Sequence, residues 1–222
     1  FRPYKIGKNI PEGMTTMEGA LVEPAAVGMH AAVLGGAQPG KSIVILGGGT
    51  IGLMVLQACI SLGATDITVV DVIEKRLELA KKLGAARVIN GKEEDTVAVL
   101  RSEEMYGDHG VDLVFEAAGA VFTAQQAVQI VSRGGKIMMV GTQSKPVPID
   151  FLKINREVTI QTSFRYCNNF PQTIEAISSG RFNVKDMVTN IYDYEDVQKA
   201  FEEAIDPVKK TEMVKGVIKV AE

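Results

Sequence analysis

The run ILGGGTIG sets Gly47, Gly49 and Gly52 at G-x-G-x-x-G spacing, between the apolar stretch KSIVIL and the helical pattern TIGLMVLQACISLG. Each glycine has its own task there. Gly47 permits a tight turn, Gly49 lets the backbone approach a pyrophosphate with no Cβ in the way, and Gly52 lets helix and strand pack closely. Thr50 and Ile51 open the helix, whose free N–H groups and positive dipole end suit a diphosphate. Nineteen positions after Gly52 comes Asp71, the last residue of ITVVD. A carboxylate at that strand end accepts hydrogen bonds from ribose hydroxyls and repels a 2′-phosphate, which favours NAD over NADP. Arg76 would attract such a phosphate, but Asp71 occupies the strand end itself and leaves Arg76 to lie along the adenosine. A methyltransferase also joins a glycine-rich turn to an acid after the second strand, and a plain strand–helix turn needs only the glycines. The spacing and its context fit a dinucleotide better than either.

A second chemical question sits in GALVEPAAVGMHAAVLGG, where Glu23 is the one carboxylate of an apolar run. Burying a charge is costly unless it is paired or bound to metal. Glu23 is therefore either a helix-start acid that complements the dipole or a metal-site residue. His30 reads as a hydrogen-bonded structural histidine, with the cofactor pocket as its other option. His109, in YGDHGVD, reads as an exposed loop residue. Glu116 stays open between a strand-end acid at the cleft and a solvated charge. Cys59 and Cys167 lack metal-ligand spacing and read as reduced thiols of a cytoplasmic protein, Cys59 as a small buried hydrophobe within a helix.

Positioning these residues requires alternating strands and helices. KSIVIL, DITVVD, ARVIN, VDLVFEAAG, GKIMMVG and VTIQTSF read as six strands, nearly continuous in apolar residues, as in a parallel sheet covered on both faces. TIGLMVLQACISLG, EKRLELAKKLG, EEDTVAVLRSEEM and VFTAQQAVQIVSRGG read as the helices between them. The expected fold is α/β, a doubly wound parallel six-stranded sheet of Rossmann type. TTME has capping-box spacing ahead of an N-terminal linker helix, with Pro24 in a first turn or breaking that helix in two. In the tail, NNFPQTIEAISSGRF and YEDVQKAFEEAI read as helices and MVKGVIKV as a late strand with no place in the six-stranded sheet.

Composition narrows the partners. The 222 residues are 46% hydrophobic and 23% charged, with a net charge of −3 and no basic stripe, so a nucleic-acid partner is not expected. No apolar run approaches the ~18 residues of a membrane span. The chain opens on Phe1 in FRPYKIGKNIPEGM, which reads as the start of a fragment or a processed chain.

EGALVEPAAVGMHA, GGGTIGLMVLQACISLGA, VVDVIEKRLELAKKLGA, FEAAG, GGKIMMVG and SFRYCNNFPQTIEAISSG together resemble the zinc-dependent medium-chain dehydrogenases. Within them the chain is most similar to the polyol branch, the sorbitol, xylitol and L-iditol dehydrogenases. The resemblance implies reversible hydride transfer between NAD and a polyol or other secondary alcohol, with zinc polarising the alcohol oxygen as a Lewis acid. It implies a metal-site role for Glu23, directly or through water, and dinucleotide contacts for Gly47, Gly49, Thr50, Ile51, Gly52, Asp71 and Arg76. Ala118, Gly119, Val140, Gly141 and Thr142 would line the ribose and nicotinamide, and Phe164 and Arg165 would hold the carboxamide. Arg165 and Tyr166 would lie near the substrate hydroxyls.

The remaining metal ligands, a cysteine and a histidine or second carboxylate, would come from an N-terminal barrel-like domain preceding Phe1, together with a cysteine-bound structural zinc. The chain alone is then expected to bind NAD without holding zinc or turning over. Residues 1–35 would be a linker segment and helix, 36–190 the NAD-binding domain, and 191–222 a helix and strand returning toward the catalytic domain. SKPVPID resembles a segment through which such enzymes pair sheet edge to sheet edge, so a homodimer or tetramer is expected. The other reading is a stand-alone NAD-binding sensor or regulatory module without catalysis.

Overall fold

The computed structural model describes residues 10–154 and 156–220. The opening segment through Asn9 lies outside the described residues. The six expected strands form one parallel sheet: β1 (Ser42–Leu46), β2 (Asp66–Asp71), β3 (Arg87–Asn90), β4 (Val111–Glu116), β5 (Val131–Met139) and β6 (Thr159–Thr162). Their order is β3-β2-β1-β4-β5-β6, with the reversal between β1 and β4 that defines a doubly wound sheet. Central β1 is buried along its whole length and shows why the strand runs are unbroken apolar stretches. Its Ile43 and Ile45 enter one core while Val44 and Leu46 enter the other, across the sheet.

At the N-terminus the capping box forms. Thr15 caps α1 (Thr16–Ala20), and Glu18 reaches back to the Thr15 backbone. The chain bends at Leu21 and restarts as α2 (Val22–Gly35), with Pro24 in its first turn. Helix α2 crosses α3 (Thr50–Ser61) backbone to backbone, because a Cβ on Gly28 would lie 2.4 Å from the Met54 carbonyl carbon. The Lys136 ammonium, on β5, donates to the Leu34 carbonyl (3.0 Å) in the last turn of α2. That placement offsets the negative end of the helix.

Three segments depart from the sequence expectations. Only Thr96–Leu100 of EEDTVAVLRSEEM is helical, as α5. The Arg101 guanidinium that follows is occupied by the carbonyls of Gly107, Asp108, Gln129 and Val131, and it holds the chain in turns. Helix α6 (Val121–Ile130) stops before VSRGG, which enters β5 and pairs with Val111 through a bulge. Helix α4 (Glu74–Lys82) lies between β2 and β3 as expected, whereas in the tail α7 (Phe170–Ser178), α8 (Val197–Ile205) and α9 (Lys209–Glu212) are joined by β7 (Val188–Asp193) and β8 (Lys215–Lys219). The late strand β8 pairs in parallel with β7 in a separate two-stranded sheet. VTNIYD was absent from the expected strands, because its mixed polar run carries neither strict alternation nor a continuous apolar stretch.

Glu18 makes the N-terminal cap sensitive to acid. Burial alone would raise its pKa. The Thr15 backbone N–H (2.8 Å), the Thr15 hydroxyl (2.7 Å) and the Lys185 ammonium (3.2 Å) outweigh burial and hold it below its ordinary value. The ionised side chain therefore adds stability above the unfolded carboxylate pKa, and that stability is lost as pH falls through the lower folded value. Glu18→Gln is expected to cost about 1 kcal/mol at neutral pH. The deficit should shrink as pH falls below about 4, read by urea unfolding at several pH values; a pH-independent deficit contradicts it.

Candidate functional site

The C-terminal ends of β1, β2 and β4 open into one cleft, at the point where strand order reverses. The turn leaving β1 is drawn tight. Gly47 sits at φ +110°, where a side chain would be strained, and its N–H donates to the Val70 carbonyl (2.8 Å). A Cβ on Gly52 would lie 1.8 Å from the Gly47 carbonyl oxygen, so the first turn of α3 rests directly on the loop. Gly49 differs from both. A Cβ there would meet only the Arg76 guanidinium, at 4.0 Å, which leaves open space over the helix N-terminus.

Asp71 ends β2 and is buried, with its charge satisfied by backbone. Its Oδ2 accepts from the Gly48 N–H (2.7 Å), and its Oδ1 from the N–H groups of Val72 (2.8 Å) and Ile73 (3.0 Å). The Arg76 Nη1 lies 3.6 Å from Oδ2. A carboxylate has about four lone-pair sites, so Asp71 retains acceptor capacity toward the cleft.

The cleft has a volume of about 460 Å³, and its lining includes Gly47, Gly49, Asp71, Arg76 and Ala118 from the expected set. Val72, Gly91, Thr96, Phe122 and Gln126 also line it and were not singled out from the sequence. Gly91, just past β3, carried the one available signal: ligands of such sheets sit at the carboxyl ends of strands.

Other expected residues lie around the cleft rather than in its lining. The Thr50 hydroxyl donates to the Val214 carbonyl, tying the α3 N-terminus to the tail. Ile51 is half-buried in the first turn of α3. Val140 and Gly141 donate their N–H groups to the Glu116 carbonyl (both 2.8 Å), and the Thr142 carbonyl oxygen would sit 2.6 Å from a Cβ on Gly119. These residues form a second packed rim at the ends of β4 and β5. Beyond β6, Phe164 and Arg165 are exposed, with the Arg165 guanidinium 5.4 Å from the Phe164 ring centre. Tyr166 stacks on Phe170 instead, with ring centres 4.9 Å apart.

Glu116, left open by the sequence, is completely buried and organises that second rim. Its Oε1 accepts from the N–H groups of Ala118 (3.0 Å) and Gly119 (2.8 Å) and from the Thr123 hydroxyl (2.7 Å). Its Oε2 accepts from the Gln143 amide (2.7 Å). One carboxylate thus fixes the β4–α6 loop and the segment after β5 together.

Glu23 is exposed in the first turn of α2, so the desolvation cost of a charge in an apolar run does not arise. Among the described residues no three His, Cys, Asp or Glu side chains converge as a metal-binding group, so these residues do not by themselves fit a zinc ion. His30 Nδ1 donates to the Asn169 side-chain carbonyl (3.0 Å), linking α2 to the segment after β6. Cys59 is buried, and burial pushes its thiol pKa up; Cys167 is exposed. No helix among the described residues is long and apolar enough to cross a membrane.

Comparison with known proteins agrees with this geometry. The family model described as zinc-binding dehydrogenase matches residues 50–179, more than half the chain. The chain is 61% identical over 220 residues to a zinc-type alcohol dehydrogenase-like protein of Escherichia coli (strain K12), covering 99% of this chain and 62% of that protein. It is 40% identical over 199 residues to the sorbitol dehydrogenase of Bacillus subtilis (strain 168), covering 88% and 56%. The crystal structure of 2R,3R-butanediol dehydrogenase from Bacillus subtilis superposes with a TM-score of 0.86 at 29% identity, over 96% of this chain and 60% of that one. The chain spans about 60% of the length of these relatives. Helix α3, the acid at the second strand end and strands β2 to β6 fall within the matched region, and the chain belongs to the zinc-binding dehydrogenase family.

Proposed function

We propose that this chain is the NAD(H)-binding part of a zinc-dependent polyol dehydrogenase, acting in reversible hydride transfer between a secondary alcohol and NAD. The observation that carries the reading is the open space over Gly49 beside the buried, backbone-held carboxylate of Asp71. When bound, the nicotinamide supplies the hydride acceptor. The chain's own residues bind and orient it. Gly47, Gly49 and the N-terminus of α3 take the diphosphate, and Asp71 takes the ribose hydroxyls. Ala118, Gly119 and Val140 to Thr142 face the nicotinamide half, with Glu116 holding them in register. Phe164, Arg165 and Tyr166 stand toward carboxamide and substrate. Glu23 offers one carboxylate to a metal whose other ligands would lie outside these 222 residues.

Calorimetric titration of the purified chain tests the cofactor. NADH is expected to bind in preference to NADPH. Asp71→Asn keeps acceptor oxygen but removes the charge, and should cut that preference about tenfold, or about 1.4 kcal/mol. Wild-type chain that binds neither nucleotide overturns the reading.

Oligomerisation through the sheet edge is proposed on separate grounds. β6 is an edge strand, and Phe151 and Leu152 near it are 73% and 85% exposed. An unpaired strand edge beside apolar side chains favours pairing with a second copy. Sedimentation velocity is expected to give a dimer or larger, and a monomer at all concentrations contradicts it.

A further inference from the structure

The loop between β6 and α7 is anchored at both ends and strained between them. At the β6 end the Ser163 N–H donates to the Met139 carbonyl (2.8 Å), which sets the loop at the carboxyl edge of the sheet, beside the rim after β5. Arg165 (φ +52°) and Asn168 (φ +58°) are both left-handed, a conformation that costs any residue but glycine and persists only where the surroundings impose it. Phe164 is 80% exposed and Arg165 is exposed as well, so core packing does not hold them. The other anchor is Asn169, which is only 6% exposed. Its backbone carbonyl accepts from the Thr173 N–H (3.0 Å) and hydroxyl (2.7 Å), fixing the start of α7. Its side chain is diverted. Asn169 is the N-cap of α7, where an asparagine oxygen ordinarily accepts from the free helix N–H groups and adds about 1 kcal/mol. Among the described residues it makes no such cap bond, and its oxygen accepts from His30 Nδ1 (3.0 Å) on α2 instead. His30 is a half-buried polar group between buried Met29 and Ala31. Both residues thus give up a simpler local arrangement for one bond between segments 139 positions apart. Glu23 lies about two turns before His30 on the same face of α2.

We infer that His30 and Asn169 are a positioning pair: their hydrogen bond holds Phe164, Arg165 and Tyr166 at the nicotinamide end of the dinucleotide, in register with Glu23 on α2. The inference rests on the NAD(H) reading above. The pair acts through the loop and takes no part in the reaction itself. Without the bond, Asn169 is free to turn back and cap α7, and the left-handed residues ahead of it relax toward ordinary backbone. The loop then leaves the rim. The adenosine side of the site, at the ends of β1 and β2, lies across the reversal in strand order and keeps its own hydrogen bonds around Asp71. Loss of the pair should therefore be felt by one half of the dinucleotide only.

The experiment titrates the full chain with NADH and with ADP-ribose, which carries the same adenosine, diphosphate and ribose but no nicotinamide. Wild type is expected to bind NADH about tenfold more tightly than ADP-ribose. His30→Ala and Asn169→Leu should each weaken NADH about fivefold and leave ADP-ribose within about twofold of wild type, which also shows that the variants fold. The double variant should bind NADH no more weakly than either single one, because both changes remove the same bond. His30→Asn sets an amide nitrogen where Nδ1 stood and should bring NADH affinity back to within about twofold of wild type, whatever it does to the thermal midpoint. Variants that keep wild-type NADH affinity, variants that lose both ligands equally, a His30→Asn chain that fails to recover, or a wild type that binds both ligands equally overturn the inference and leave the NAD(H) reading standing. Binding of neither ligand to wild type overturns that reading itself.

Discussion

Gly52→Ala is expected to lower the unfolding free energy by about 3 kcal/mol and to abolish measurable NADH binding. The added Cβ would sit 1.8 Å from the Gly47 carbonyl oxygen, far inside van der Waals contact. Relief requires moving that carbonyl or the first turn of α3. The carbonyl belongs to a residue at φ +110° whose N–H is bonded to Val70, so the loop has little freedom to give. Gly49→Ala supplies the contrast. Its Cβ meets only the tip of Arg76 at 4.0 Å, and its φ of −73° suits any residue. Stability should change by less than about 0.5 kcal/mol, while dinucleotide affinity falls tenfold or more. Urea unfolding and NADH titration on both variants separate the two tasks. A Gly49→Ala chain that binds NADH like wild type removes the loop from the diphosphate site.

The second large effect is expected at Glu116. Glu116→Ala strips the acceptor from the N–H groups of Ala118 and Gly119, the Thr123 hydroxyl and the Gln143 amide at once. Leaving several donors unpaired in a buried node is expected to cost about 3–4 kcal/mol. The rim formed by residues 117–119 and 140–143 should loosen with it, so NADH affinity falls even though Glu116 lies beneath the cleft surface. Glu116→Gln is the milder variant. The Gln143 side-chain oxygen is buried without a partner, so a turned Gln143 amide can accept from the new carboxamide. Its cost is expected to stay below about 1.5 kcal/mol. Urea unfolding of the pair checks this: equal losses would mean that the charge, rather than the hydrogen-bond node, is what the fold requires.

The fold was legible in the sequence because burial on both faces leaves a visible mark. Strands such as SIVIL and VDLVFE must be apolar at every position to feed two cores, and helices packed over them must repeat at helical spacing. Gly47, Gly49, Gly52 and Asp71 were legible for a related reason. Each answers a local demand, for a tight turn, open space, a close contact or an acid at a strand end, and only one or two residue types meet each demand.

The tertiary structure decided the rest, because the remaining properties depend on neighbours far along the chain. Glu23 looked costly in an apolar run, yet α2 turns it outward into solvent. Glu116 had no readable role until the loops after β4 and β5 converged on its two oxygens. VSRGG changes from helix to strand because Arg101 and the partner strand β4 claim its backbone, and β8 finds β7 only after the tail folds back. Thr96, Phe122 and Gln126 come from α5 and α6, and no spacing in the sequence joins them. Residue type and period therefore determined the sheet, its helices and the glycine turn. The surroundings of each polar side chain, and hence which of them face the cleft with capacity to spare, were set by packing between segments dozens of residues apart.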